Sequence, residues 1–141
     1  MEEIRPEFDK LVETYHSQAA GRLGQILYGH ILLNADKPEA AVDMFKKAWD
    51  DYGDDPVLAN IILNGLSVAY LRIGDKAAAM AQMEKIVAGS ATTHKDAALF
   101  RLGLLYLESG QKDKGKDLFK KLSEEFPNSM YVEMAKEQAS G

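Results

Sequence analysis

The chain has no cysteine among its 141 residues. A disulfide framework and a thiolate metal site are excluded, although the absence selects no compartment. Proline is scarce, at four residues, and long Val/Ile/Thr alternations are missing, which favours helices over strands. No uninterrupted run of about 18 apolar residues is present, so no segment reads as a membrane span. The opening Met1-Glu2-Glu3 lacks the basic and apolar regions of a signal peptide, so any anchor or signal would lie outside these residues. A surplus of positive charge is missing too. The net charge is -5; residues 1–70 hold 12 acids against 6 bases, and residues 71–141 hold 10 acids against 11 bases. Neither half is a basic platform, which argues against nucleic-acid binding.

What remains is an ordinary folded composition, with 46% hydrophobic and 28% charged residues. One domain accommodates the whole length, and a chain of this size buries roughly two thirds of its unfolded surface.

Three segments repeat. The first carries Tyr28-Gly29, Ala41, Phe45 and Ala48. The second carries Leu66-Ser67, Tyr70, Ala79, Met83 and Ile86. The third carries Leu102-Gly103, Tyr106, Gly115, Phe119, Leu122 and Pro127. In each, a small residue precedes another small residue by 12 positions, a large apolar residue follows 4 later, and a further apolar position comes 3 beyond that. Two antiparallel helices explain the spacing: the small residues let the backbones approach, and the large side chain fills the space beside them. Turns fall at 34–37, 74–76 and 110–112, where Gly74 and Gly110 suit helix ends and Pro38 suits a first turn. The spacing predicts helices near 6–16, 18–34, 38–52, 56–73, 75–88, 94–109, 111–126 and 128–138, with Asn128 or Ser129 as the last N-cap. These group into an N-terminal helix (6–17), three pairs (18–53, 56–89 and 93–127) and a C-terminal capping helix (128–139). Gly29, Ser67 and Gly103 stand 38 and 36 residues apart, and the turn-rich stretches 52–56 and 88–93 make up the excess over the usual period of about 34.

These residues resemble the tetratricopeptide repeat consensus. Leu102, Gly103, Tyr106, Phe119 and Pro127 match it, with Gly115 in place of the usual alanine; Leu32 stands where the first repeat would have tyrosine, and Ser67 replaces glycine in the second. The resemblance, over about residues 20–138, implies an all-α, right-handed solenoid of about three helix pairs with an extra helix at each end. It also implies a scaffold that binds protein, with no catalytic role and no cofactor. The stretch Phe126-Pro127-Asn128-Ser129-Met130-Tyr131-Val132-Glu133-Met134-Ala135 is similar to the endings of bacterial envelope repeat proteins, among them the ancillary subunit of the Sec translocon. Phe8-Asp9-Lys10-Leu11-Val12-Glu13-Thr14-Tyr15 resembles the helix that leads into their first repeat. That resemblance implies the periplasmic face of an inner membrane, reached through an anchor outside this chain; the alternative is a cytoplasmic repeat protein.

In such a stack the first helix of each pair lines the concave face. The family pattern places Ile26, His30 and Leu33 there from the first pair, Asn64, Val68 and Leu71 from the second, and Phe100, Leu104 and Leu107 from the third, with Arg72 and Arg101 beside them. The set is mostly apolar, as in an interaction surface. It suits an apolar or amphipathic polypeptide, a second copy in a homodimer, or the chain's own N-terminal helix with Phe8, Leu11, Val12 and Tyr15 on one face. Only Asn64 fits in kind the lysine–asparagine clamp with which some relatives grip a terminal carboxylate.

Candidate chemistry is thin. His16, His30 and His94 form no metal-ligand pair. Asp50, Asp51, Asp54 and Asp55 lack calcium-loop spacing, and Asp55 before Pro56 reads as an N-cap. Lys112, Lys114, Lys116, Lys120 and Lys121 interleave with acids as a solvated face. Gly21, Gly24 and Gly29 sit in a helical pattern rather than a phosphate loop. Trp49, four residues beyond Phe45, reads as core or inter-repeat packing. No serine or histidine–acid constellation suggests an enzyme.

Overall fold

The computed structural model describes Pro6 and residues 19–140. The helix expected over 6–16 lies, but for Pro6, outside the described residues. The described part is all-α. Seven helices follow in order: α1 Ala19–Asn34, α2 Pro38–Tyr52, α3 Pro56–Ile73, α4 Lys76–Ala88, α5 Lys95–Glu108, α6 Lys112–Glu125 and α7 Val132–Ser140.

Their ends have local causes. Pro38 and Pro56 occupy first-turn positions, where a missing N–H costs no helical bond. The Asp55 carboxylate caps α3, accepting from the backbone N–H of Val57 at 3.0 Å and of Leu58 at 3.2 Å, and Asp75 caps α4 by accepting from Ala78 N–H at 3.0 Å. Gly74 (φ 94°) and Gly110 (φ 83°) turn the chain out of α3 and α5 in the left-handed region that glycine favours. The last helix begins later than the expected position 128. Ser129 instead holds a turn, its Oγ accepting from Tyr131 N–H at 3.2 Å and its carbonyl from Val132 N–H at 3.2 Å, which defers α7 to Val132.

Helices α1/α2, α3/α4 and α5/α6 pack as consecutive pairs, and α7 closes on α6. The repeated small and large positions form the core at one register. Ala41, Ala79 and Gly115 are buried, as are Phe45, Met83 and Phe119, and then Ala48, Ile86 and Leu122. The Phe45 ring explains two glycines. A Cβ on Gly29 would meet it at 2.6 Å and one on Gly65 at 2.5 Å, so the ring is held between its own pair and the next. Gly103 gives way to Phe119 in the same manner. At Gly115 a Cβ would lie 2.8 Å from the Gly103 carbonyl oxygen, so α5 and α6 approach too closely for the alanine usual at that position. Trp49 packs against both the first core cluster and the second, bridging two pairs.

By length and composition α3 is apolar enough to cross a membrane, with a mean hydropathy of 1.4. Packing accounts for that apolarity: α3 lies between α2 and α4, and Ile62, Leu63, Leu66 and Ala69 are all buried.

Polar side chains fix the seams. Buried Asn60 donates through Nδ2 to the carbonyls of Ala91 (3.2 Å) and Thr93 (2.8 Å), pinning the long α4–α5 connection. Lys95 Nζ donates to the Gly89 carbonyl at 2.9 Å and faces Glu125 at 3.8 Å. Ser129 Oγ donates to Asp96 at 2.7 Å, tying the approach to α7 onto α5.

Candidate functional site

The first helices α1, α3 and α5 form one face of the stack, and hydrogen bonds cross both of its seams. Arg72 of α3 donates to the Leu33 carbonyl of α1. Arg101 of α5 donates to Asn64 Oδ1 of α3 at 3.4 Å. Arg72 is exposed; His30, Asn64, Val68, Leu71, Phe100, Arg101, Leu104 and Leu107 are half-buried.

Ile26 and Leu33 correct the expected site. They are 5% and 3% exposed and belong to the first core cluster, so they offer a partner no surface. Among the described side chains of α1, the exposed apolar ones are Leu23 at 57% and Leu27 at 54%, one helical turn apart. Gly29 supplies the reason. It faces Phe45 and fixes the side of α1 that turns inward; Leu27, two positions earlier, lies about 200° around the helix from it. The position of Gly29 was therefore the available signal for Leu23 and Leu27. In the repeat register Leu27 matches Gly65 of α3 and Arg101 of α5, which lean on Phe45 and Asn64 ahead of them.

At the C-terminal end the apolar face is partly covered. Phe100 stacks on Tyr131 with ring centroids 5.2 Å apart at 25° and lies 6.0 Å from the Phe119 ring. Leu104 and Leu107 pack against the same third cluster. Leu71 leans on the second cluster and Val68 on the first. Open apolar surface remains at Leu23 and Leu27 of α1 and at Val57 and Ile73 of α3.

His30 meets Phe45 edge-on, with centroids 5.2 Å apart at 74°. Burial, with a smaller contribution from the charge of His94, holds its imidazole below the ordinary value of 6.5, so the neutral ring is favoured. Between α4 and α5, the Tyr106 hydroxyl donates to Glu84, and that hydrogen bond, burial and the carboxylate charge push the phenol up to about 12.

The outer face differs. A cleft of about 250 Å³ between the second helices α2 and α4 is lined by Lys46, Trp49, Asp50, Leu66, Tyr70, Gln82 and Lys85. Its charges are mixed, and the Lys85 ammonium already lies 5.8 Å from the Trp49 ring centroid. Of the acidic cluster, Asp51 accepts from buried Gln25 Nε2 at 2.9 Å and Asp55 caps α3. Lys112, Lys114, Lys116 and Lys120 are exposed, and Lys121 faces Glu125 at 4.0 Å one turn on. Among the described residues no group of three or more His, Asp or Glu side chains is placed to hold a metal ion.

The first helices thus carry apolar and cationic side chains side by side. No curated protein and no solved structure matches the chain. Residues 97–129, which run from α5 through α6 to the turn before α7, match the family model of the tetratricopeptide repeat, and by that stretch the chain is similar to a family of non-catalytic, protein-binding repeat scaffolds.

Proposed function

We propose that this protein is a binding scaffold that presents the first-helix face to another polypeptide. The observation that carries the reading is the exposure of Leu23 and Leu27 on α1 beside half-exposed His30, Val68 and Leu104. Large apolar side chains grouped on a rigid face mark an interaction surface more often than a solvated one. The partner contacts come from Leu23, Leu27, His30, Asn64, Val68, Arg72, Arg101 and Leu104. The likeness of residues 126–135 to bacterial envelope repeat proteins supports a setting in the secretion or assembly of envelope proteins, at the periplasmic face of an inner membrane.

The test is affinity capture from detergent-solubilised cells with the native chain and with Leu27→Glu. Leu27 is exposed, so the variant is expected to keep its helical circular dichroism. A specific partner captured by the native chain and lost with the folded variant supports the reading. The same partners with both proteins would move the binding site off this face. A stable dimer by light scattering, abolished by Leu27→Glu, would favour the self-associating alternative.

A further inference from the structure

The open leucines of α1 hold positions that are covered in the next pair. In the repeat register Leu27 corresponds to Gly65 of α3, and the Phe45 ring of the preceding helix α2 lies 2.5 Å from where a Cβ on that glycine would stand. Leu23 corresponds to Ile61, which packs on the first core cluster together with Trp49 of α2. The side of a first helix that carries these two positions therefore faces the second helix that comes before it in the chain.

The sequence ahead of α1 has the pattern of such a second helix. Phe8, Leu11, Val12 and Tyr15 reproduce the spacing of Phe45, Ala48, Trp49 and Tyr52, each 37 residues further on. On α2 that set is the inward side: Phe45, Ala48 and Tyr52 are buried, and Trp49 joins two clusters. The chain distances agree too. Phe45 precedes Gly65 by 20 residues, and Phe8 precedes Leu27 by 19. Three residues, 53–55, join α2 to α3, and three, 16–18, separate Tyr15 from Ala19. A connection of that length suits antiparallel neighbours. One difference bears on strength. Gly65 makes room for the Phe45 ring, whereas leucine at 27 leaves no such recess, so a ring there seats less deeply and is easier to displace.

We propose that residues 8–15 are a built-in ligand of α1, lying antiparallel to it with Phe8 against Leu27 and Val12 against Leu23, and that a partner reaches the leucines by displacing them. The inference rests on the reading of the first-helix face as the binding surface, and it adds the regulation of that surface. The displacing segment is a helix with large apolar residues at the same spacing, i, i+3, i+4 and i+7.

Two measurements on the full chain test this. In the first, a photoreactive phenylalanine analogue replaces Phe8 or, as a control outside the apolar spacing, Lys10, and crosslinked peptides are mapped by mass spectrometry. The expected result is a bond within the chain from position 8 to the 23–30 stretch of α1, and none there from position 10. Bonds between two chains, bonds elsewhere or no bond would overturn the contact. In the second, a labelled synthetic peptide of residues 5–17 is titrated against the native chain and against the double variant Phe8→Asp with Leu11→Asp, both checked for native helicity. The peptide is expected to bind the variant about tenfold more tightly or better, because the native segment occupies the site most of the time, and adding Leu27→Asp to the variant abolishes the binding. Equal binding to native chain and variant, or binding to neither, would overturn displacement. If the peptide behaves as expected while captured partners ignore Leu27→Glu, the built-in ligand stands and the reading of this face as the partner's site falls.

Discussion

At the residue scale, close approach explains more of this protein than side-chain chemistry does. Gly115 is the clearest case. Helix propensity alone favours alanine over glycine there by roughly 1 kcal/mol. The opposing cost is a Cβ 2.8 Å from the Gly103 carbonyl oxygen, a backbone atom that moves only with its helix, and overpacking of this kind costs about 1–3 kcal/mol. Gly115→Ala is thus expected to lower stability in chemical denaturation, although it restores the residue usual at that position; a stabilised variant would mean that α5 and α6 have room to spare. His30 gives a pH prediction. Its folded value is depressed, so the unfolded chain takes up a proton first as pH falls below 6.5, and the stability associated with the neutral ring is lost through the window below that value. The native protein should lose stability in that window more steeply than His30→Gln, compared by thermal melts at a series of pH values. The sequence made Gly29, Phe45 and Gly103 legible, because their spacing recurs. It did not show that Ile26 and Leu33 are buried while Leu23 and Leu27 are open. An α1 that is apolar nearly all round has no polar stripe to mark its outer side.

At the element scale, the helices were legible wherever a proline, a capping carboxylate or a left-handed glycine marks an end. Pro38, Asp55 with Pro56, Asp75, Gly74 and Gly110 each hold the position their chemistry suggests. The α6–α7 junction was less legible. Asn128 and Ser129 read equally well as caps, but the bond from Ser129 to Asp96 on a helix 33 positions earlier reserves that hydroxyl for a turn. Tertiary partners of this kind leave no local pattern. The α4–α5 connection depends on another: Asn60 is 5% exposed and bonds two carbonyls of that segment. Asn60→Ala leaves those carbonyls without their donor, so a loss of about 1–3 kcal/mol is expected. Hydrogen exchange should show faster amides over 89–94 while α6 and α7 stay protected. Unchanged exchange over 89–94 would mean that the connection is held by other contacts.

At the scale of the whole molecule, three helix pairs at one register place α1, α3 and α5 side by side, and seam-crossing arginines join them. The two ends of the resulting face differ. Toward α7, Phe100 is drawn into packing with Tyr131 and Phe119; on α1, Leu23 and Leu27 are open, as is Val57 on α3. The open leucines support the proposal that a polypeptide partner binds across the first helices and is anchored on α1. The most direct measurement is site-specific photocrosslinking in cells. A photoreactive amino acid replaces Leu27 on α1 or Lys47 on α2, both exposed. A discrete polypeptide adduct is expected from position 27 and none from position 47. An adduct from position 47 alone, or from neither position, would contradict it.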